Sequence, residues 1–296
     1  MTTTLIIGAT GRLASQVAAK LSSNPAMSLR LTSSRDEGVE ALRAAYPHAE
    51  VMKADWYDLA SLKTAFNGVN RVLVIPQDFT DETVVTPNVI AAARSTPSVE
   101  QIVRLIAMKP GLKPETMSEE WKETRTGSGM HPIGKALLDE SGLPLTYINT
   151  CAWFASNLSW MIAEDVKRHR QVRLPHDAKR AWLGEDDMAE AFATVLAEGP
   201  AKHIGREYIL TSRESYSFDD IAALISSAIG ETVTYNDTEA GLREALGDMG
   251  DTIVTYMKHE KLGWSEKLEV NDIERLIGRH EVTLPEIIRA SRELFI

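Results

Sequence analysis

The sequence predicts an α/β protein in which a doubly wound parallel sheet is followed by a smaller, mostly helical domain. Three observations carry this expectation. Through the first half of the chain, short apolar runs alternate with apolar residues at helical spacing, the pattern of strands buried between two layers of helices. A glycine-containing turn joins the first strand to the first helix. After about residue 152 the alternation gives way to longer helical patterns.

Taken in order, Thr4–Ile7 reads as a buried first strand. Leu13–Ser22, with Leu13, Val17, Ala18 and Leu21 on one face, reads as the first helix. Leu29–Thr32 and Glu37–Tyr46 form the next strand and helix, and Val51–Ala54 and Leu59–Phe66 the pair after them. Arg71–Ile75 is the fourth strand, stopped by Pro76. Its helix is Pro87–Ser95, with proline in the first turn, where a missing N–H is tolerated. Gln101–Ala107 is the fifth strand, His131–Ser141 a helix closed by Gly142, and Leu145–Thr150 the sixth strand. Beyond it, Trp153–Arg168 reads as a helix, Arg180–Leu183 as a strand, Glu185–Glu198 as a helix and Tyr208–Thr211 as a strand. Ser217 caps a helix running to Ile229, because its hydroxyl can satisfy first-turn amides. The remainder is helical and charged, with 237–275 the solvated face of helices, and closes on Leu284–Leu294. The expected domains are 1–152 for the sheet and 153–296 for the cap, with some strands of the latter returning to the sheet.

Composition narrows the function classes. The chain has 296 residues, 44% of them hydrophobic and 25% charged, ordinary values for a globular protein with a large core. With 32 Lys+Arg against 42 Asp+Glu, the formal charge of −10 argues against nucleic acid or an anionic membrane as partner. The single cysteine, Cys151, cannot form an internal disulfide and favours a reducing compartment. Met1–Thr4 lacks a basic n-region, Leu5–Ile7 is too short for a signal core, and no run approaches the ~20 apolar residues of a membrane span. The expected location is cytoplasmic, where the sequon Asn157-Leu158-Ser159 stays unmodified, and the expected state is a monomer or homodimer. The scattered histidines show no ligand spacing, so no metal site is expected.

The turn Gly8-Ala9-Thr10-Gly11-Arg12-Leu13-Ala14 carries the chemistry. A helix N-terminus offers unpaired amides and partial positive charge, and glycine lets a pyrophosphate approach the backbone. Gly8 permits the tight turn, Gly11 the close approach, and the small Ala14 the packing of helix on strand. Thr10, Arg12 and Leu13 count among the expected dinucleotide contacts, as do Ile75 and Pro76 at the end of the fourth strand. An acidic residue after the second strand would hold the 2′-hydroxyl of NAD, whereas a basic one suits the 2′-phosphate of NADP. Arg35 stands there, with Arg12 in support, so NADP(H) is the expected cofactor. Asp55, just past the third strand, is placed to meet the adenine amino group or simply to start a helix.

Gly8-Ala9-Thr10-Gly11 with Arg35 and Ala54-Asp55 resembles the NmrA-like, atypical branch of the short-chain dehydrogenase/reductases. So do Ser141-Gly142-Leu143-Pro144-Leu145-Thr146-Tyr147, Trp153-Phe154-Ala155-Ser156-Asn157 and Ala181-Trp182-Leu183-Gly184-Glu185-Asp186-Asp187-Met188-Ala189. The likeness spans most of residues 4–225 and is nearest to NADPH:quinone reductases, triphenylmethane reductases and ergot-alkaloid-type dehydrogenases. It implies that 1–152 is an NADP-binding Rossmann domain and 153–296 a C-terminal substrate domain, with NADPH across the carboxyl ends of the strands. Standard superfamily members use Ser, Tyr and Lys. Here Ile106 stands at the serine position and the helix at His131-Pro132-Ile133-Gly134-Lys135 has no tyrosine. By that resemblance His131 falls beside the nicotinamide, with Lys135 one turn on, and these two are the candidate catalytic residues. His131 can donate a proton or a hydrogen bond, or simply hold the ribose or cap the helix before Pro132, and Lys135 either touches the cofactor or is a solvated surface lysine.

Residues 108–131, with Pro110, Gly111, Pro114, Gly127 and Gly129, read as a long loop of the kind that covers a substrate. Met108, Trp121, Trp153, Phe154 and Asn157 are the expected substrate contacts, with core packing as the alternative for each aromatic or Met. Together these features predict an NADPH-dependent reductase acting on a small planar apolar acceptor: a quinone, a cyclic imine or iminium, or an aromatic dye. The alternatives are an NADP(H)-binding redox sensor working through a protein partner, and a carbonyl or enone reductase of specialised metabolism.

Overall fold

A computed structural model describes residues 2–261 and 268–296. The first half alternates as its apolar pattern requires: β1 (Thr2–Ile6), α1 (Arg12–Ser22), β2 (Met27–Ser33), α2 (Asp36–Ala45), β3 (Glu50–Lys53), α3 (Leu59–Phe66), β4 (Arg71–Val74), α4 (Glu82–Arg94) and β5 (Gln101–Ile106). Then come α5 (Glu119–Glu123), α6 (Gly127–Asp139) and β6 (Leu145–Thr150). β7 (Trp153–Phe154), α7 (Ala163–His169), β8 (Gln171–Arg173), β9 (Arg180–Leu183), α8 (Glu185–Glu198), α9 (Pro200–His203) and β10 (Glu207–Leu210) follow. The chain continues through β11 (Ser215–Tyr216), α10 (Phe218–Ile229), β12 (Thr234–Asn236), α11 (Ala240–Leu246), α12 (Asp248–Lys261), α13 (Ile273–Ile277) and α14 (Leu284–Ala290).

The main sheet has the strand order β10-β6-β5-β4-β1-β2-β3, and the pairs from β3 through β6 are all parallel. This is the doubly wound order, in which the chain reverses direction across the sheet between β1 and β4. Its central strands β4, β5 and β6 are buried almost throughout, whereas the edge strand β3 exposes Glu50 and Lys53. α1 turns Leu13, Ala14, Val17, Ala18 and Leu21 inward, the stripe its sequence spacing dictates.

The chain forms two units. The first comprises Met1–Thr116, Arg125–Asn149 and Met188–Tyr208, and the second Met117–Thr124, Thr150–Asp187 and Ile209–Ile296. Chain connectivity therefore passes from one to the other at several points, with 117–124 leaving the sheet unit between β5 and β6. The second unit holds strands as well as helices: β7 pairs with β9 in parallel and β9 with β11 antiparallel, while β8 and β12 form a separate ladder. Its core gathers Trp153, Trp182 and Phe218 with Leu158, Ile162, Val166 and Ile225.

Three expectations are corrected. Pro87 lies inside α4 rather than in its first turn. The Asp81 carboxylate accepts the Thr83 N–H at 3.1 Å and starts the helix five residues earlier. The expected loop 108–131 contains a single 3₁₀ turn at Pro114–Thr116, then α5, and ends where α6 begins at Gly127, so His131 sits within the helix instead of opening it. Trp153–Arg168 is not one helix. Trp153 and Phe154 pair with Trp182 and Leu183 as a strand, and a wide π-type turn at Leu158–Ile162 precedes α7. Aromatic side chains suit a half-buried strand, and that tertiary pairing outweighs the local helical pattern. The part of the expected charged tail at 262–267 lies outside the described residues.

Candidate functional site

Because β1 to β5 run parallel, every segment leaving their carboxyl ends emerges at one edge of the sheet, and the predicted cofactor residues lie on those segments. Gly8 follows β1 with φ +65°, a conformation glycine adopts freely, and Gly11 N–H closes the turn on the Gly8 carbonyl at 2.9 Å. A Cβ at Gly11 would stand 3.3 Å from that carbonyl, so the approach is as tight as the sequence pattern implies. Gly11 is also the N-cap of α1. No side chain caps this helix and its first turn carries no acidic residue, which leaves the amides of Arg12 and Leu13 suited to an anion.

The second strand delivers Arg35 to the same edge. Arg35 and Arg12 are exposed and make no ion pair among the described residues. The neighbouring acid, Asp36, pairs with Lys53 at 2.9 Å. Gly38 keeps α2 close: its Cβ would meet the Ser33 hydroxyl at 2.2 Å and Thr10 Cγ2 at 3.1 Å. Asp55, after β3, is half-buried and its Oδ1 accepts the Tyr57 N–H at 2.9 Å. Pro76, after β4, is buried beside the half-buried Ile75, and the next residue, Gln77, comes within 3.8 Å of where a Gly11 Cβ would stand.

At the end of β5, the Ala107 N–H donates to His131 Nδ1 at 2.8 Å. His131 is 3% exposed, and its Nε2 has no hydrogen-bond partner among the described residues. Burial pushes its pKa well below the ordinary imidazole range, and the charge of Arg104 adds to the effect. An imidazolium has N–H on both nitrogens and could not accept from Ala107. The ring is therefore neutral, with its proton on Nε2 as a buried, unclaimed donor. Arg104, inside β5, is itself buried against Glu82 in an ion pair, and Glu82 also accepts from Thr86.

Two strained residues flank this point. Phe79 (φ +68°) and Arg125 (φ +51°) are left-handed without being glycine, and Phe79 N–H donates to the Arg125 carbonyl at 2.7 Å. Each such residue costs about 1–3 kcal/mol, and such strain persists where surrounding structure imposes it, commonly at functional sites. Lys135 lies elsewhere in the network. Its ammonium pairs with Asp139 at 2.8 Å, stands 3.7 Å from Glu207 and caps the Tyr147 ring at 4.4 Å.

Residues 1–290 match the NmrA-like family. The chain belongs to the NmrA-like family. No curated protein matches the sequence. Among solved structures, an NADPH complex of the quinone oxidoreductase QOR2 from Escherichia coli is 25% identical, with TM-score 0.80, 97% of this chain covered and 99% of that one. The triphenylmethane reductase of Citrobacter sp., complexed with NADP(H), is 22% identical, with TM-score 0.79 and coverage of 97% and 99%. NmrA, a negative transcriptional regulator in complex with NADP, is 17% identical, with TM-score 0.74 and coverage of 99% and 96%.

In this NmrA-like chain the remaining predicted residues divide between the units. Met108, in the first, is 1% exposed and its N–H donates to Asn149 Oδ1 at 3.1 Å. In the second unit, Trp153 is buried and its indole N–H is given to Glu260, which commits it to the interior. Phe154 next to it is half-buried, and Asn157 accepts the Trp160 indole N–H at 2.9 Å. Trp121 stacks flat on His259, with centroids 5.4 Å apart and an interplanar angle of 3°. Asp165, His169 and Glu244 also converge in that unit, but Arg173 pairs with both carboxylates. No described helix is long and apolar enough to cross a membrane.

Sequence reasoning missed Asp78, Glu82, Arg104 and Asn149. Arg104 left one visible signal, a charged residue in the middle of the apolar run Gln101–Ile106.

Proposed function

We propose that the chain is an NADPH-dependent reductase that passes hydride to a small planar acceptor such as a quinone, a cyclic imine or iminium, or an aromatic dye. The observation that carries the reading is His131: a neutral, buried imidazole with an unclaimed Nε2–H, on the sheet edge that also holds the uncapped glycine turn. Bound NADPH would supply the hydride. The residues present fit that cofactor, because the α1 amides suit a pyrophosphate, and Arg12 and Arg35, without an ion pair among the described residues, suit a 2′-phosphate. Asp55 keeps Oδ2 for the adenine amino group.

The chemistry available to the side chains is limited in an informative way. Ile106 fills the serine position and is fully buried, and α6 contains no tyrosine. A neutral imidazole can steady a developing negative charge but surrenders its Nε2 proton reluctantly. An acceptor that is already electron-poor suits this arrangement. A quinone that takes hydride becomes a hydroquinone monoanion. His131 Nε2–H would hold that oxyanion, and one proton from water would complete the product.

The same departure from Ser, Tyr and Lys favours a second reading, a non-catalytic NADP(H) sensor. NADPH oxidation against panels of quinones, cyclic imines and aromatic carbonyls, with NADH alongside, separates the two. Turnover with one class establishes the reductase. Tight NADPH binding with no turnover on any class removes it in favour of the sensor.

A further inference from the structure

Gly127, His131 and Gly134 are spaced four and three residues apart, so they share one face of α6. Each meets a specific partner. The Gly127 N–H donates to Asp78 Oδ1 at 2.6 Å, His131 Nδ1 accepts from Ala107, and Gly134 lies against Glu82. Neither glycine has room for a side chain. A Cβ on Gly127 would stand 2.9 Å from His131 Cε1 and 3.1 Å from Asp78 Oδ1, and one on Gly134 would stand 2.6 Å from Glu82 Oε2. Thr126, the N-cap of α6, makes no side-chain cap bond, so the carboxylate of Asp78 does that work from 49 residues away. Asp78 and Glu82 are themselves four residues apart, on either side of the residue that caps α4.

We propose that Asp78 and Glu82 are positioning residues that seat α6 through its two glycines, one on each side of His131, and so fix where Nε2–H points. This rests on the reading that His131 Nε2–H faces the reacting group. Asp78 acts at the first turn, where its charge also favours the helix N-terminus. Glu82 acts one turn beyond His131, held by Arg104 and Thr86, so that the helix can neither slide nor rotate without expelling a buried carboxylate. The ring between these two contacts has one orientation, with Ala107 on one nitrogen and nothing on the other. Such a seat matters to chemistry because displacement of a catalytic group by about 1 Å can cost on the order of a hundredfold in rate.

The test uses the full chain, with the His131 ring nitrogens followed by NMR and NADPH oxidation followed with 1,4-naphthoquinone. Wild type should show the neutral Nε2–H tautomer. Asp78→Ala removes the cap from an exposed loop, so the protein should fold, with the ring signals shifted or broadened. Its kcat should fall roughly ten- to a hundredfold, with the Kd for NADPH changed less than about twofold. Gly134→Ala should act in the same direction. Asp78→Asn, whose amide oxygen still accepts from Gly127, should restore most of the ring signals and the rate. Ring signals and kcat unchanged in Asp78→Ala, with only thermal stability lowered, would overturn the proposal. The ring signals need no turnover. A wild type inactive on every acceptor removes the reductase reading, and the positioning claim is then decided by those signals alone.

Discussion

In the proposed function, Arg35 is the residue that reads the 2′-phosphate. It is exposed, has no carboxylate partner among the described residues, and stands one position before an aspartate already held by Lys53. A guanidinium that gives up no ion pair on binding delivers its full interaction to a phosphate. Arg35→Ala should therefore weaken NADPH about tenfold or more, roughly 1.4 kcal/mol, and leave NADH nearly unchanged in a fluorescence titration. An unaltered NADPH-to-NADH ratio would remove Arg35 as the phosphate reader. His131→Asn tests the other key side chain, since the asparagine oxygen can still accept the Ala107 N–H while the distal donor is lost. NADPH binding should persist and most turnover disappear. The same variant has a pH signature. The folded-state pKa of His131 is depressed by burial, so the unfolded chain takes up the proton first as pH falls. The stability from burying a neutral ring is complete above ~6.5 and is lost progressively below it. Between about pH 7 and pH 5, wild type should lose more thermal stability than His131→Asn.

At the scale of elements, α10 shows how far local chemistry reaches. Ser217 Oγ accepts the Asp220 N–H at 3.0 Å, the Ser217 N–H donates to Asp220 Oδ2 at 2.9 Å, and Gly230 closes the helix at φ +77°. Ser217→Ala should cost about 1 kcal/mol in urea unfolding, and a cost near zero would show that Asp220 alone holds the helix end. Where signals are this local, the sequence reading and the structure agree to the residue, as at Leu59–Phe66, Leu145–Thr150, Arg180–Leu183 and Phe218–Ile229. The glycine turn was legible for the same reason, because strand, turn and helix are contiguous. What was not legible depends on partners distant in sequence. Trp153 reads as helical until Trp182 pairs with it, and α6 begins at Gly127 because Asp78 caps it. The neutral state of His131 depends on burial and on Arg104, neither of which its neighbours in the chain disclose.

At the scale of the molecule, each unit holds, among the described residues, one ion pair with both partners removed from water: Arg104 with Glu82 in the first, and Arg180 with Glu260 in the second. The second pair is the more heavily engaged. Arg180 donates to Glu260 at 2.7 Å and to the carbonyls of Ala178 and His176, and its guanidinium lies over Trp153 and Phe218 at 4.9 and 4.6 Å. Glu260 also takes the Trp153 indole N–H, so β7, β9 and α12 meet at one carboxylate. A buried pair of this kind contributes little net stability over an apolar substitute, yet breaking it strands a charge. Arg180→Met should thus destabilise by about 3–5 kcal/mol. Adding Glu260→Met removes the stranded carboxylate and should recover part of the loss. The recovery stays incomplete because the buried Trp153 indole N–H then lacks its partner, at about 1–3 kcal/mol for a polar group left buried and unpaired. The ordering is the decisive quantity. In urea unfolding of the full chain, wild type should be most stable, the double variant intermediate and Arg180→Met least. A double variant less stable than the single one would mean that Glu260 is held chiefly by Trp153, and that the ion pair is secondary to the aromatic core around it.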